Sequence, residues 1–141
     1  MTTLRVSSKK KKEVIDLTEQ LRETLGRNQA PDGLCHLFLT HTTAALTTAD
    51  LDPGTDLDLL DALTRMVPDL NYRHPHNPSH VSDHILSSLI GTSLWIPVTQ
   101  RKPRLGTWQR VVLLEFDGPR ERQISLSMLA ERPEGPDRAS G

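Results

Sequence analysis

Three short apolar runs separated by turn-forming sequences occupy the C-terminal third of the chain, and this pattern most constrains the fold. The runs cover residues 94–98, 111–116 and 124–129, and the sequences RKPRLG and DGPRER separate them. Apolar runs of this length, bounded by glycine and proline, are typical of β-strands, and successive strands of this kind favour hairpins. The pattern predicts an antiparallel or mixed β-sheet in this part of the chain.

Apolar residues at helical spacing predict a first helix in the N-terminal half. Leu17, Leu21 and Leu25 recur every four residues, with Thr18 available to cap the helix and Gly26 to end it. Further strands are expected at residues 3–6 and 34–40, on either side of this helix.

Two more helices are predicted in the middle of the chain. One follows the loop DLDPGTD, is capped by Thr55 or Asp56 and ends before Pro68. The other begins with Ser82 as N-cap and ends at Gly91. The apolar face of the first of these helices consists of Leu57, Leu60, Leu63 and Val67.

These elements together predict an α+β fold. A single domain is expected over residues 1–130, with about three helices packed on an antiparallel or mixed, sandwich-like β-sheet. Residues 131–141 are polar and rich in proline and glycine, so this tail is expected to be disordered.

Composition excludes several classes of function. The net charge is −1, so the chain has no global attraction for nucleic acid or for an anionic membrane, and neither is predicted as a partner. A single cysteine, Cys35, rules out an intrachain disulfide and a zinc ribbon. No apolar run approaches the roughly 20 residues that span a bilayer, so a cytoplasmic protein is expected. The run of four lysines at residues 9–12 is expected to be a solvated turn.

Histidines are concentrated in the stretch YRHPHNPSHVSDHILSSLIG. His74, His76, His80 and His84 are four of the six histidines of the chain. Three interpretations are open: a metal site, an acid/base and anion-binding site, or a solvated loop. The metal motif HExxH is absent, and His80 and His84 share a helix face only if the helix begins before Ser82, which the capping prediction opposes.

Two further segments carry candidate site residues. HTTAAL places His41 at the end of an apolar strand, beside the hydroxyls of Thr42 and Thr43. Glu115 interrupts the apolar run VVLLEF. If Glu115 is buried it needs a partner, for which a histidine or a metal would serve; otherwise it points to solvent.

The ordered set HTTAAL, DP, YRH, ILSSLIG, GTWQ and EFDGPR resembles the YjbQ-like family, also called secondary thiamine-phosphate synthase. The resemblance extends from about residue 3 to about residue 129. It implies a small single-domain α+β protein that assembles as a homotrimer and has a pocket lined by the motif histidines. Weak thiamine-phosphate synthase activity has been attributed to some members of the family.

The resemblance also implies roles for individual residues. The implied catalytic residues are His41, His74, His84, Asp50 and Glu115, with Asp50 standing where many relatives have a glutamate. The implied ligand-binding residues are Thr42, Thr43, Asn77, Trp108, Gln109 and Arg120. Asp117 matches the aspartate of EFDGPR, while His76 and His80 belong to a loop that departs from the glycine-rich version of many relatives.

Two mechanisms are compatible with these residues. In the first, His41, His74 and His84 hold a divalent ion, zinc or magnesium, which orients a small phosphorylated metabolite or polarises water. In the second, the helix N-terminus near Ser82 and the cation Arg120 hold a phosphate while one histidine acts as general acid/base. A non-enzymatic protein that binds a metal or a phosphorylated metabolite is the alternative function.

Overall fold

The computed structural model describes residues 1–68, 70–73 and 80–132. The strands within these ranges are β1 (Thr2–Ser7), β2 (Glu13–Asp16), β3 (Gly33–Leu39), β4 (Ala44–Ala49), β5 (Ser93–Thr99), β6 (Lys102–Pro103), β7 (Arg110–Glu115) and β8 (Glu121–Ala130). The helices are α1 (Thr18–Arg27), α2 (Thr55–Met66) and α3 (Val81–Ile90).

The described strands form two antiparallel sheets. A five-stranded sheet has the order β1-β8-β3-β5-β6, and a three-stranded sheet has the order β2-β7-β4. The predicted α+β class, with a sandwich-like antiparallel sheet and three helices, is confirmed.

The expected hairpins among the three C-terminal strands are wrong. β7 pairs with β2 and β4, whereas β8 pairs with β1 and β3, so the turn between β7 and β8 passes from one sheet to the other. β5 pairs with β3 and with the short β6. The local pattern therefore identifies the strands but not their partners.

β7 explains why the two sheets stack. Val111 and Leu113 lie in the core between the two sheets, to which α1 also contributes. Val112, Leu114 and Phe116 face the opposite way, into a second core formed with α2 and α3. The three-stranded sheet is thus the middle layer and is buried on both faces, which the nearly continuous apolar run VVLLEF requires.

Two helices begin at other residues than predicted. α2 has Gly54 as its N-cap, in place of Thr55 or Asp56, because the backbone there has φ 88°, a left-handed conformation that favours glycine. α3 begins at Val81 with His80 as its N-cap, two residues before the predicted N-cap Ser82.

The start of α3 matters for the histidines. His80 and His84 are four residues apart across the first turn, so they lie on the same side of α3, contrary to the expectation from capping. Gly91 ends α3 with φ 107°, as predicted.

α1 and α2 also depart from expectation in detail. Thr18 is the first helical residue of α1 and not its cap, since the side chain of Asp16 accepts the Thr18 N–H and the Thr18 hydroxyl accepts the N–H of Val111. α1 continues past Gly26 by one residue. Leu60 and Leu63 on α2, and Val67 just after it, are buried as expected, whereas Leu57 is exposed.

None of the helices in the described ranges is long and apolar enough to cross a bilayer. β8 ends at Ala130, the last residue of the predicted domain. Residues 133–141, which make up most of the predicted tail, lie outside the described residues, as do His74, His76 and Asn77.

Candidate functional site

One end of the middle sheet forms a cavity of about 590 Å³. Ala44, at the start of β4, pairs with Glu115, at the end of β7, so the segments before β4 and after β7 meet here. The Ser87 hydroxyl donates to the Ala44 carbonyl over 2.7 Å and holds α3 against β4, which brings His84 to the same place. The described lining residues are Thr40, His41, Thr42, Thr43, His80, His84, Asp117, Arg120, Glu121 and Arg122.

A backbone hydrogen bond fixes the tautomer of His41. The N–H of Gln123 donates to His41 Nε2 over 2.9 Å, so Nε2 is an acceptor and the neutral ring carries its proton on Nδ1. Burial, together with the charge of Arg122, lowers the pKa of His41 and keeps the ring neutral at pH 7. The remaining ring nitrogen of His41 is therefore a hydrogen-bond donor.

This tautomer does not fit the predicted metal site. A neutral histidine binds a metal through a ring nitrogen with a free lone pair, and Nε2 of His41 already uses its lone pair on the backbone. Across the described ranges, no group of three or more His, Cys, Asp or Glu side chains is arranged to hold a metal ion. The third predicted ligand, His74, lies outside these ranges.

Asp117 connects the cations around the cavity. Its carboxylate accepts hydrogen bonds from Arg120 Nη2 and Lys11 Nζ, each over 2.9 Å, and lies 3.8 Å from Nδ1 of His80. Arg120 also donates through Nε to the Asp117 carbonyl over 2.8 Å. Burial acts to raise the pKa of Asp117, but the hydrogen bonds from Lys11 and Arg120 outweigh it and hold the pKa below its ordinary value.

A buried ion pair between Glu115 and Arg122 lies beside the cavity, and Arg122 is also one of the lining residues. Glu115 is 0% exposed and Arg122 is 2% exposed. Arg122 makes a two-pronged contact with Glu115, through Nε over 2.9 Å and through Nη2, and the Ser8 hydroxyl donates to the same carboxylate over 2.6 Å. Arg122 Nη2 also donates to the hydroxyl of Thr43 over 2.9 Å.

The buried partners of Glu115 are thus the arginine Arg122 and the hydroxyl of Ser8, and the side chain does not point to solvent. Burial acts to raise the pKa of Glu115, but the hydrogen bonds from Arg122 and Ser8 outweigh it and lower the pKa, so the pair is ionised. Glu115 is not among the lining residues of the cavity, but it holds Arg122, which donates to the hydroxyl of the cavity-lining Thr43.

Asp50 and Trp108 lie at the opposite end of the middle sheet. Ala49, the last residue of β4, pairs with Arg110, the first residue of β7, so the chain leads Asp50 and Trp108 away from His41 by the length of a six-residue strand, about 17–20 Å. Both line a separate hollow of about 220 Å³. Gln109 folds back on its own turn and accepts the N–H of Gly106 over 2.8 Å. A single chain therefore does not bring these predicted residues to the histidines.

A second cavity, of about 510 Å³, adjoins the first. The two share Thr40, His41, Thr42 and His84. The second lacks the charged side chains of the first and is lined instead by Phe38, Leu39, Ser87, Ser88, Gly91 and Thr92 in addition to the shared residues. The combined site has a charged half and a less polar half, with His41 and His84 between them.

Sequence reasoning missed Arg122 and Lys11. The signal for Arg122 was present, because Ile124 and Leu126 on the same strand are buried and side chains two residues apart share a face. A charged residue on that face demands a buried partner, and Glu115 was available. No comparable signal marks Lys11, which looks like its three lysine neighbours.

Two stacked antiparallel sheets, with three helices and a histidine- and arginine-lined cavity at one end of the middle sheet, define a class of small α+β proteins. A family model described as "UPF0047 protein YjbQ-like" matches residues 2–131. The chain belongs to this family, which confirms the resemblance seen in the motifs.

Relatives from archaea and bacteria share the sequence and the fold. A UPF0047 protein of Archaeoglobus fulgidus is 35% identical over 127 residues, which cover 89% of this chain and 98% of the relative. One from Mycobacterium tuberculosis is 37% identical over 123 residues, covering 84% and 93%. The crystal structure of a hypothetical protein from Aeropyrum pernix has a TM-score of 0.85 at 30% identity, with 92% of this chain and 98% of that chain covered.

Proposed function

We propose that the protein binds a small phosphorylated metabolite in the combined site, which the two adjoining cavities form at the His41 end of the middle sheet. The observation that carries this proposal is the backbone hydrogen bond to His41 Nε2, which turns the other ring nitrogen into a donor in a cavity that also contains Arg120. Phosphate oxygens accept hydrogen bonds, and they bind most strongly where the donors lie beside a cation whose position is fixed.

Neighbouring groups add to the affinity for an anion. The hydroxyls of Thr42 and Thr43 lie in the same cavity. α3 begins at Val81 beside the cavity-lining His80, and the N-terminus of a helix carries partial positive charge that attracts phosphate. The second half of the site, beside Phe38 and Leu39, suits an uncharged ring of the same ligand.

The reaction that suits this site is a thiamine-phosphate synthase-like transfer. The ring nitrogen of a thiazole phosphate attacks the methylene carbon of a pyrimidine methyl pyrophosphate. A carbon–nitrogen bond forms, the carbon–oxygen bond to pyrophosphate breaks, and pyrophosphate leaves with the electron pair. Arg120 and the N–H of His41 would stabilise the charge that develops on the leaving group, and His84 is the candidate general acid/base.

A non-enzymatic binding protein is the second candidate, and the position of two carboxylates favours it. Asp50 and Glu115 were the carboxylates expected to serve an enzyme, but Asp50 lies at the far end of the sheet and Glu115 is paired with Arg122. Pyrophosphate release from a mixture of the two substrates separates the candidates: release requires the enzyme, and binding without release indicates the binding protein.

Pyrophosphate binding tests the site itself. We expect wild-type protein to bind inorganic pyrophosphate in calorimetric titrations, and Arg120→Met to bind it about 10- to 100-fold more weakly, because a charge-assisted hydrogen bond contributes about 1.5–3 kcal/mol. The control is Arg104→Met, which removes an exposed arginine far from the cavity and leaves binding unchanged.

Equal binding by wild type and Arg120→Met would contradict the proposal, as would no binding by wild type. A titration with Zn²⁺ covers the metal hypothesis. Stoichiometric zinc that is lost in His41→Ala would favour a metal centre over the phosphate site.

We also propose that the protein assembles as a homotrimer, and the outer face of the five-stranded sheet supports this. Leu34, Phe38, Trp95 and Leu129 are 40%, 43%, 53% and 59% exposed on neighbouring strands β3, β5 and β8. The ring of His36 lies against Trp95 with centroids 4.4 Å apart, between Leu34 and Phe38 along β3. An apolar patch of this kind on a sheet face is typical of a protein interface.

Trp95→Lys is expected to convert a trimer into monomers, because a charge would be buried without a partner at the contact. Light scattering coupled to gel filtration measures the mass. Leu57→Lys is the matched control, because Leu57 is equally exposed but lies on α2, on the other side of the molecule. A monomeric wild type, or a Trp95→Lys variant that remains trimeric, would refute this interface.

A further inference from the structure

Lys11 differs from the other lysines of the run at residues 9–12. Its Nζ donates to Asp83 Oδ2 over 3.2 Å and to Asp117 Oδ1 over 2.9 Å. Lys12, by contrast, donates to the uncharged hydroxyl of Thr64 on α2, over 2.9 Å. The Lys11 side chain is 55% exposed, as expected for a solvated turn, but its ammonium group is held by two carboxylates that are themselves buried.

The backbone around Lys11 is fixed against the turn that follows β7. The N–H of Gly118 donates to the Lys11 carbonyl, and the N–H of Ser8 donates to the Arg120 carbonyl, each over 2.9 Å. The two segments approach so closely that a Cβ at position 118 would lie 2.2 Å from the Lys10 carbonyl oxygen. The close approach requires glycine there, and the two segments form one unit from which the Lys11 side chain extends.

The contact between Lys11 and Asp83 links the lysine run to α3. Asp83 lies in the first turn of α3, one residue before His84, and is 3% exposed. Burying a charged carboxylate costs free energy unless it is paired, and the Lys11 ammonium group provides a partner for Asp83. Lys11 therefore joins α3, which carries His84, to Asp117, which holds Arg120.

We propose that Lys11 is a positioning residue that sets how far His84 on α3 lies from Arg120 on the opposite wall of the cavity. Lys11 is not among the lining residues of the cavity, so it acts on the site through Asp83 and Asp117. Neutralising it would leave Asp83 buried without its cation and would loosen the first turn of α3. The expected change in ligand affinity rests on the proposed phosphate site, whereas the expected change in the position of α3 does not.

The experiment compares Lys11→Met, Lys11→Arg and Lys10→Met. Histidine ring signals in long-range ¹H–¹⁵N spectra of ligand-free protein report on α3 directly, and we expect those of His80 and His84 to shift in Lys11→Met only. Pyrophosphate binding by Lys11→Met is expected to weaken about 3- to 30-fold, the range of coupling through residues that do not touch the ligand. Lys11→Arg keeps the charge and should restore both readouts.

Unchanged ring signals and affinity in Lys11→Met would overturn the inference, and so would equal effects of Lys10→Met. If Lys11→Met does not fold, the comparison moves to the Asp83→Asn background, where α3 no longer carries the buried charge that Lys11 neutralises. There, Lys11→Met should have at most a small further effect on the ring signals, and a full-sized effect would overturn the inference. A wild type that fails to bind pyrophosphate refutes the proposed function alone, since the ring signals still test Lys11.

Discussion

Arg122→Met is expected to lower the free energy of unfolding by about 3–5 kcal/mol, a large share of the roughly 5–15 kcal/mol that stabilises a typical domain. The substitution leaves the carboxylate of Glu115, which is 0% exposed, without its cation in the interior. It also removes the donor to Thr43, which lines the cavity. Urea denaturation at pH 7, followed by circular dichroism, measures the change.

Two further variants make this result specific. Replacing both partners, as Arg122→Met with Glu115→Leu, should recover much of the loss, because an apolar pair of similar volume has no unpaired charge. Arg5→Met removes the exposed bridge from Arg5 to Glu121, of 3.1 Å, and should cost no more than about 1 kcal/mol. An Arg122→Met variant as stable as Arg5→Met would show that the buried pair contributes little.

Leu113→Ala is expected to cost about 2–5 kcal/mol of unfolding free energy. Leu113 is 0% exposed and lies on the face of β7 that packs between the two sheets. Because neighbouring strands hold the backbone of β7 on both sides, the surroundings cannot collapse fully into the space that the side chain leaves. Denaturation curves of the wild type and the variant under the same conditions give the difference.

The matched control is Leu57→Ala, the same substitution at a leucine that is 59% exposed on α2. It should change the free energy of unfolding by no more than about 0.5 kcal/mol. Similar losses from the two substitutions would contradict the description of the three-stranded sheet as a buried middle layer.

Much of the fold follows from local sequence patterns, and strand pairing does not. The three C-terminal runs are strands, and the helical spacing of leucines located α1 and α2, because alternation and periodicity are local properties. Pairing depends on contacts far apart in sequence. β7 has apolar residues on both faces and therefore takes the middle layer, whereas β8 alternates and lines the larger sheet.

The site was predicted in part for a similar reason. His41, Thr42, Thr43, His84 and Arg120 line one cavity, as their grouping in motifs implied. Asp50 was assigned to the same site through the family resemblance, because it stands where many relatives have a glutamate. The intervening residues form β4, and an extended strand separates its two ends by its full length. The resemblance matches positions along the chain, and within a single chain β4 places Asp50 far from His41.

In the proposed phosphate site, the hydrogen bond between the Gln123 N–H and His41 would also determine which ligands are rejected. Nδ1 of His41 already carries the ring proton before a ligand binds. No rearrangement of the site would therefore be needed to donate a hydrogen bond to an acceptor on the ligand. A ligand that presents an ammonium group or another donor to His41 would meet a second donor. Each such mismatch would cost about 1–3 kcal/mol of affinity, so the main chain would make the proposed site discriminate oxygen anions from ammonium groups.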